Sequence, residues 1–335
     1  MAISIACEQI GQQVSGEQHS ERHSERFGAQ RFWYWRGWRV RYTYIAKQTG
    51  ANQTGPTEQT GSTEQTDLTK QIEAETEAPL LLLHGAGSSL EQWRESLGAI
   101  AQERSVYALD FVGFGGSEKI AAPLNTDLWV AQVADFWQTF LCRPMLLMGH
   151  SLGASVALQT ATSHPEMVAR LVMLTLPAAR QEIGGQAAKV GAVVEGWFAS
   201  PALVRSLFRF IRKPRLIRSV LRKLHQDPSR VDDELVDGFI RPTLERGAAR
   251  TFCYLVKSRT SDSFCPQTRD LIPLLHIPTL LLWGTRDRVI PIAWGRYVNT
   301  LSDQLTFVEV EGAGHFFYDE QPDDLRSLLS HWLAN

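Results

Sequence analysis

The stretch Gly149-His150-Ser151-Leu152-Gly153 stands between two runs of different character and decides the fold. The apolar residues 145–148 before it are typical of a buried strand, and residues 154–158 after it favour a helix. A serine at the tip of so sharp a turn brings neighbouring backbones close together, which explains glycine at both 149 and 153. The pattern predicts a serine hydroxyl exposed between strand and helix, beside a helix N-terminus that favours developing negative charge.

Around this turn, short apolar runs alternate with longer amphipathic stretches, which indicates βαβ units and a mostly parallel sheet. An aromatic hairpin precedes them at 33–42, where aromatic and apolar residues alternate with basic ones about an Arg36-Gly37 turn. The predicted fold class is therefore α/β with an N-terminal antiparallel hairpin. Strands are predicted at 79–83, 105–109, 145–149, 169–175, 278–283 and 305–310, and helices at 90–102, 127–141, 152–163, 291–300 and 322–333.

Three segments depart from this alternation. Residues 1–30 are polar and contain a duplicated H-S-E-R, which predicts a disordered tail before a single domain at 31–335. Residues 47–78 repeat Gln-Thr-Gly and predict a low-complexity surface insertion. Residues from about 178 to 268 have a helical pattern, so we expect a helical cap over the carboxyl ends of the strands, where ligands bind in parallel sheets.

A serine hydroxyl needs a base to become a good nucleophile, and that base needs a group that orients it. His315 is the best candidate for the base, because it lies in the glycine-rich loop 312–317 just after a predicted strand. Asp287 follows the apolar strand that ends at Trp283, so it is the best candidate for the acid. We predict a catalytic triad of Ser151, Asp287 and His315 in the chain order serine, acid, histidine.

Backbone N–H groups are also predicted to bind the oxyanion that attack on a carbonyl creates. The turn His84-Gly85-Ala86-Gly87 follows an apolar strand directly, and the N–H groups of Ala86 and Leu152 are the candidates for this oxyanion hole. Asp110, in the motif L-D-F-V-G-F-G-G-S at 109–117, is predicted to brace its loop rather than to catalyse.

Taken together, these residues resemble the α/β-hydrolase superfamily over about 32–45 and 79–335, including its D-x-x-G-x-G-x-S loop. The resemblance implies a covalent acyl-enzyme on Ser151. Haloalkane dehalogenases and epoxide hydrolases of this fold carry aspartate at that position, which argues against both activities. The aromatic hairpin and the Asp110 loop are similar to those of pheophytinases and chlorophyll dephytylases, esterases that remove phytol from chlorophyll-type pigments.

Composition excludes several other classes of function. A formal net charge of -2 gives no reason to expect a nucleic acid as partner. The sequence has neither an apolar run of about 18 residues nor a basic secretory start, so we expect a cytoplasmic protein. The four cysteines lack C-x-x-C spacing and predict neither a disulfide framework nor a zinc site. The predicted chemistry requires no metal and no cofactor.

The cap sequence contains two basic amphipathic helices on either side of Pro214. Eight lysines or arginines lie between 205 and 223, whereas Phe208 and Leu221 belong to the apolar faces. One interpretation is a cap packed with its apolar side down and solvated arginines outward. The other is peripheral contact with an anionic membrane, from which the cap would draw a bulky apolar ester.

The sequence therefore predicts a serine hydrolase that cleaves a carboxylic ester of a hydrophobic small molecule. A pigment phytyl ester is one candidate within this class of substrates. Two alternatives keep the triad but change the bond: a C–C bond hydrolase and a peptidase similar to proline iminopeptidases. A non-catalytic binding protein on the same fold is an alternative of another class.

Overall fold

The computed structural model describes residues 27–47, 77–183 and 201–334, and within them the chain forms a mixed sheet of eight strands. The strand order is β1-β2-β4-β3-β5-β6-β7-β8. The pairs β1–β2 and β2–β4 are antiparallel and the others are parallel, which confirms the predicted fold class. The strands are β1 Arg31–Trp35, β2 Trp38–Ile45, β3 Leu80–Leu83, β4 Val106–Leu109, β5 Met145–His150, β6 Val168–Leu174, β7 Thr279–Gly284 and β8 Leu305–Val310.

The helices follow the strands as the sequence predicts, with one exception described below. They are α1 Leu97–Ala101, α2 Thr126–Phe136, α3 Leu152–Ser163, α4 Pro201–Ile211, α5 Pro214–Leu224, α6 Asp233–Leu244, α7 Ala248–Arg259, α8 Thr268–Leu271, α9 Ile292–Asn299, α10 Phe317–Glu320 and α11 Pro322–Ala334. A turn of π-helix, Trp137–Leu141, extends α2.

The central parallel strands are buried on both faces, which explains why they read as continuous apolar runs. In β3, Leu81 and Leu83 pack into one core cluster, while Leu80 and Leu82 pack into a second cluster on the opposite face. β5 divides in the same way. The two cores hold the carboxyl ends of these strands at one edge of the sheet, where the loops that carry the predicted triad begin.

The N-terminal hairpin closes through a two-residue turn. Arg36 and Gly37 both have positive φ, at 51° and 83°, which is the requirement of a type I′ turn. The hairpin is therefore confirmed. Phe27 belongs to the tail predicted at 1–30, but its ring is buried in the core and its carbonyl oxygen accepts a hydrogen bond from Thr43. Most of the predicted tail and of the insertion at 47–78 lies outside the described residues.

The prediction of one continuous helix at 90–102 was wrong. A short 3-10 turn, Leu90–Trp93, is followed by a break and then by α1. Ser96 stands at the N-cap position of α1, and its Oγ donates a hydrogen bond of 2.6 Å to the carbonyl oxygen of Tyr318. This long-range polar contact interrupts a segment whose local pattern favours an unbroken helix.

The predicted helical region between β6 and β7 contains α4, α5, α6 and α7. Phe208 of α4 packs on Phe252 of α7, with ring centroids 5.0 Å apart. On α5, Leu221 is buried in a small cluster with residues of α6. Ile217 packs against the same cluster, whereas Val220 of α5 is 46% exposed.

Candidate active site

Ser151 occupies a strained turn between β5 and α3. Its backbone has φ 53° and ψ −117°, a region that non-glycine residues rarely adopt. The Ser151 N–H donates to the Leu174 carbonyl on β6 at 3.0 Å, and the Ser151 carbonyl accepts from the N–H of Ala154 at 2.8 Å. These backbone bonds hold the strained conformation, which is typical of residues at functional sites.

The two glycines around Ser151 are required by space, as the sequence predicted. A Cβ at Gly149 would lie 2.1 Å from the carbonyl oxygen of Gly153. A Cβ at Gly153 would lie 2.3 Å from the carbonyl oxygen of Leu83, at the end of β3. Since all of these contacts are to backbone, no side-chain movement relieves them. The turn is thereby packed directly against the loop that follows β3.

Asp287, in the loop after β7, has a side chain with no exposed surface. Its Oδ1 accepts hydrogen bonds from the N–H groups of Val289 and Ile290, at 2.7 and 2.9 Å. Its Oδ2 lies 2.8 Å from Nδ1 of His315. One carboxylate oxygen is therefore fixed by the backbone, which directs the other at the imidazole.

His315 lies in the loop after β8, and two contacts tie this loop to the loop of Asp287. The N–H of Arg286 donates to the carbonyl of Ala313 at 2.9 Å. A Cβ at Gly284 would lie 2.4 Å from the same carbonyl oxygen. Because Nδ1 of His315 is occupied by Asp287, the other ring nitrogen, Nε2, remains for proton transfer. The structure thus brings together the predicted acid and base.

His150 connects the Ser151 turn to the His315 loop. Its Nε2 lies 3.1 Å from the carbonyl oxygen of His315, and the two ring centroids are 4.6 Å apart. In the part of the chain that the structure describes, the Ser151 hydroxyl itself makes no hydrogen bond. The hydroxyl–imidazole contact therefore stays a prediction.

The sequence pattern gives His150 no role beyond its place in the turn and does not predict this contact. Burial lowers the pKa of His150 well below its usual value, and the nearby His315 lowers it further. The imidazole is therefore neutral, and its Nε2–H donates to the His315 carbonyl. The sequence places His150 beside Ser151, but nothing in the sequence identifies its partner 165 positions away.

The predicted oxyanion loop lies beside the same turn. A Cβ at Gly85 would lie 3.0 Å from Nδ1 of His150, and the N–H of Gly85 donates to Oε1 of Gln92 at 2.9 Å. Ala86 follows and is exposed, whereas Leu152 begins α3. The structure brings these two loops together, and the role of the Ala86 and Leu152 N–H groups stays a prediction.

Asp110 has the bracing environment that the sequence predicted. Its buried carboxylate accepts hydrogen bonds from Nε of Arg41 and from the N–H groups of Leu90 and Gly116, at 2.5, 2.6 and 2.7 Å. Burial alone would lower the pKa of Arg41, but the contacts with Asp110 and Glu91 together outweigh burial and the pKa is raised. Asp110 therefore fixes three segments of chain and is engaged in structural contacts.

The chain matches a known protein family over most of its length. The model of the alpha/beta hydrolase family matches residues 80–328, which contain all the predicted triad residues. The chain belongs to this family. No helix among the residues described for this α/β hydrolase is long and apolar enough to cross a membrane.

Several known proteins are similar to this α/β hydrolase in sequence or in structure. Uncharacterized hydrolase YugF of Bacillus subtilis (strain 168) is 24% identical over 257 residues, covering 76% of this chain and 88% of that protein. The 2-hydroxymuconate semialdehyde hydrolase of Pseudomonas sp. (strain CF600) is 27% identical over 270 residues, covering 76% and 87%. Among solved structures, a membrane phospholipase A superposes with a TM-score of 0.73 at 21% identity, over 99% of this chain and 95% of that chain. At that identity the last likeness shows the fold alone.

Proposed function

We propose that this α/β hydrolase cleaves a carboxylic ester of a hydrophobic substrate through a covalent acyl-enzyme on Ser151. The observation that carries the proposal is the 2.8 Å contact between Asp287 and His315, in a loop that His150 holds against the strained Ser151 turn. A buried carboxylate that fixes an imidazole beside a strained serine is the arrangement that nucleophilic acyl transfer requires.

In the proposed mechanism, Oγ of Ser151 attacks the ester carbonyl carbon while Nε2 of His315 takes the hydroxyl proton. Asp287 stabilises the imidazolium that forms. The N–H groups of Ala86 and Leu152 donate to the oxyanion. The C–O bond then breaks, and His315 returns the proton to the departing alcohol. Water, deprotonated by His315, attacks the acyl-enzyme and releases the carboxylic acid and a free Ser151 hydroxyl.

A panel of p-nitrophenyl esters with acyl chains from acetyl to dodecanoyl tests the ester proposal. We expect turnover that rises with chain length and then falls, because an apolar acyl group gains from burial until the site is filled. Ser151→Ala is expected to lower kcat at least about 10³-fold. Negligible hydrolysis at every chain length by the folded wild-type enzyme would contradict ester cleavage.

Hydrolysis of a C–C bond is a second candidate, and the relative from Pseudomonas sp. (strain CF600) favours it. That enzyme is named for 2-hydroxymuconate semialdehyde, and the match covers 87% of its length. The same panel should therefore include 2-hydroxy-6-oxo-2,4-heptadienoate, with loss of its conjugated chromophore as the readout, and a prolyl p-nitroanilide for the peptidase alternative. A kcat/KM for the dienoate above that for every ester would favour the C–C reaction.

A pigment phytyl ester is the narrowest form of the ester proposal. It is supported by the aromatic hairpin at 33–42 and the loop at 109–117, and the relatives reported above are not named as pigment esterases. Release of phytol from pheophytin, measured by chromatography, tests it directly. Hydrolysis of short p-nitrophenyl esters without phytol release would exclude this substrate and leave the wider ester proposal standing.

We further propose that the cap contacts an anionic membrane surface through α4 and α5. Residues 201–226 contain no acidic residue, and Phe210 is 54% exposed with Nζ of Lys213 4.8 Å from its ring centroid. Cations around an exposed aromatic ring fit an anionic interface. The exposed basic residues of α4, α5 and the turn between them are Arg209, Lys213, Arg215, Arg222 and Lys223.

Vesicle sedimentation tests the membrane contact. We expect the protein to pellet with phosphatidylglycerol vesicles but not with phosphatidylcholine vesicles, and to be released by salt, because surface attraction is screened. The double variant Arg215→Glu/Arg222→Glu should lose binding. The control variant Arg296→Glu/Arg326→Glu makes the same change in charge outside the cap, on α9 and α11, and should keep vesicle binding. Absence of salt-sensitive binding in the wild type would contradict the proposal.

A further inference from the structure

One corner of the cap, residues 223–227, reaches both loops that carry the acid and the base. On the side of the base, Oε1 of Glu320 accepts hydrogen bonds from the backbone N–H groups of Gln226 and Asp227, at 2.6 and 2.8 Å. Glu320 ends α10, the short helix that follows the His315 loop. A carboxylate oxygen shared by two backbone donors is a strong, charge-assisted contact. The cap corner is thus anchored to the base loop.

On the side of the acid, the same corner contacts the residues on either side of Asp287. Nε2 of Gln226 donates to the carbonyl oxygen of Arg286 at 3.1 Å. Nη1 of Arg288 donates to the carbonyl oxygen of Lys223 at 2.8 Å. That carbonyl belongs to the last turn of α5, where helix carbonyls have no partner within the helix. In each of these two bonds, a side chain of one segment donates to a backbone carbonyl of the other, so the cap corner and the acid loop are held together.

Gln226 is the residue that spans the two loops. Its backbone N–H is held by Glu320 and its side-chain amide by Arg286, so a single residue bridges the base and acid loops. A Cβ at Gly314, the neighbour of His315, would lie 2.9 Å from Nε2 of Gln226. The amide therefore packs against the base loop and donates to the acid loop at the same time.

Buried contacts beneath Gln226 hold the corner in place. The His225 ring stacks on Phe316, with centroids 4.7 Å apart and planes inclined by 18°, and its Nε2 faces Oδ2 of Asp319 at 3.7 Å. Arg94 of the core bridges Asp319 and Asp232 of the cap, with 2.7 Å to a carboxylate oxygen of each. The position of Gln226 is therefore set by packing and by ion pairs that join cap and core.

We propose that Gln226 is a positioning residue for the triad: it keeps the acid and base loops at the spacing that the contact between Asp287 and His315 requires. This inference rests on the proposed function. Misplacement of a catalytic group by about 1 Å can cost about 10²-fold in rate. The inference implies that the docked cap is part of the catalytic machinery, because Gln226 moves with the cap corner.

The test compares Gln226→Ala with Gln181→Ala. Gln181 is a matched control, because its side-chain amide also donates to a backbone carbonyl, that of Asp262, away from both catalytic loops. We expect Gln226→Ala to lower kcat about 10- to 100-fold with KM changed less than about threefold. The labelling rate with a small fluorophosphonate should fall in proportion, and Gln181→Ala should match the wild type in both measurements.

Hydrogen exchange supplies a readout that needs no turnover. In Gln226→Ala, amides of 285–288 and 312–316 should exchange faster than in the wild type and in Gln181→Ala. Glu320→Gln, which keeps the shape but removes the charge, should show the same change to a smaller extent. Unchanged exchange in these loops of Gln226→Ala, or a rise in KM with kcat unchanged, would overturn the role of Gln226. If Gln226→Ala exchanges faster but the wild-type enzyme hydrolyses none of the substrates, the positioning role stands and the proposed function is contradicted instead.

Discussion

His150 donates a hydrogen bond to the backbone of His315, with 3.1 Å between Nε2 and the carbonyl oxygen. The residue next to Ser151 thus holds the loop of the predicted base, and the two rings lie edge to face with centroids 4.6 Å apart. The link joins the loops of the predicted nucleophile and the predicted base, which lie far apart in sequence. Its contribution is open to direct measurement.

Replacing His150 by phenylalanine keeps an aromatic ring of similar size and removes the donor. We expect kcat to fall about tenfold and the free energy of unfolding to fall by about 1–3 kcal/mol, because the buried carbonyl of His315 loses its partner. His164→Phe, at a partly exposed helix end, is the matched control. Equal kcat values for the two variants would show that this hydrogen bond does not position the base.

Replacing Asp287 by asparagine tests the orienting role of the acid. The amide cannot hold the imidazole in the tautomer that accepts the serine proton, so kcat should fall by about 10⁴-fold with little change in stability. Asp303→Asn, at an exposed position, controls for the loss of a negative charge. A decrease of less than about tenfold in Asp287→Asn would exclude Asp287 as the acid.

Asp319 gives a prediction about stability and pH. Burial by itself would raise the pKa of its carboxyl, but His225 and Arg94 outweigh burial and lower it. A pKa that is lower in the folded state gives stability that is present above the unfolded value, about 3.9, and is lost as pH falls through the folded value. Asp319→Asn should therefore lower the free energy of unfolding by about 3–5 kcal/mol at pH 7.

The difference between the wild type and Asp319→Asn should shrink below about pH 4, because the carboxyl of the unfolded wild type becomes protonated there and that of the folded wild type at still lower pH. Urea unfolding at pH 7, 5 and 3.5 measures it. Asp323→Asn is the control, because Asp323 is exposed on the surface of α11. A difference between wild type and Asp319→Asn that is the same at every pH would contradict the role of the charge.

Glycine at 153 is predicted to be indispensable for the turn. In Gly153→Ala the new Cβ would meet the carbonyl oxygen of Leu83 at 2.3 Å, so we expect a loss of about 1–3 kcal/mol or more in unfolding free energy and of nearly all activity. Gly98→Ala, where a Cβ in α1 would meet nothing within 4 Å, should raise stability by about 0.4–1 kcal/mol. Similar melting temperatures for the two variants would contradict the packing argument.

The sequence allowed prediction of those elements that local pattern determines. The apolar runs of β3 and β5 are buried on both faces, and the positive φ at Arg36 and Gly37 suits the predicted hairpin turn. The pairing of Asp287 with His315 was also predictable, because the carboxyl ends of parallel strands share one edge of the sheet.

The rest depends on polar contacts between distant segments, which leave no periodic signal. Ser96 breaks a predicted helix because its hydroxyl bonds to Tyr318. Gln226 lies in the predicted cap, where the sequence pattern indicates only which residues face inward, and its two partners lie 60 and 94 positions away.

Covalent labelling by a fluorophosphonate tests most directly that Ser151 is an activated nucleophile. We expect the intact wild-type protein to gain the mass of one phosphonyl group, mapped by peptide analysis to Ser151. Ser155→Ala, a change one turn further along α3, should still be labelled, whereas Ser151→Ala should not. An unlabelled wild-type enzyme, or a Ser151→Ala variant labelled as fast as the wild type, would contradict the proposed function.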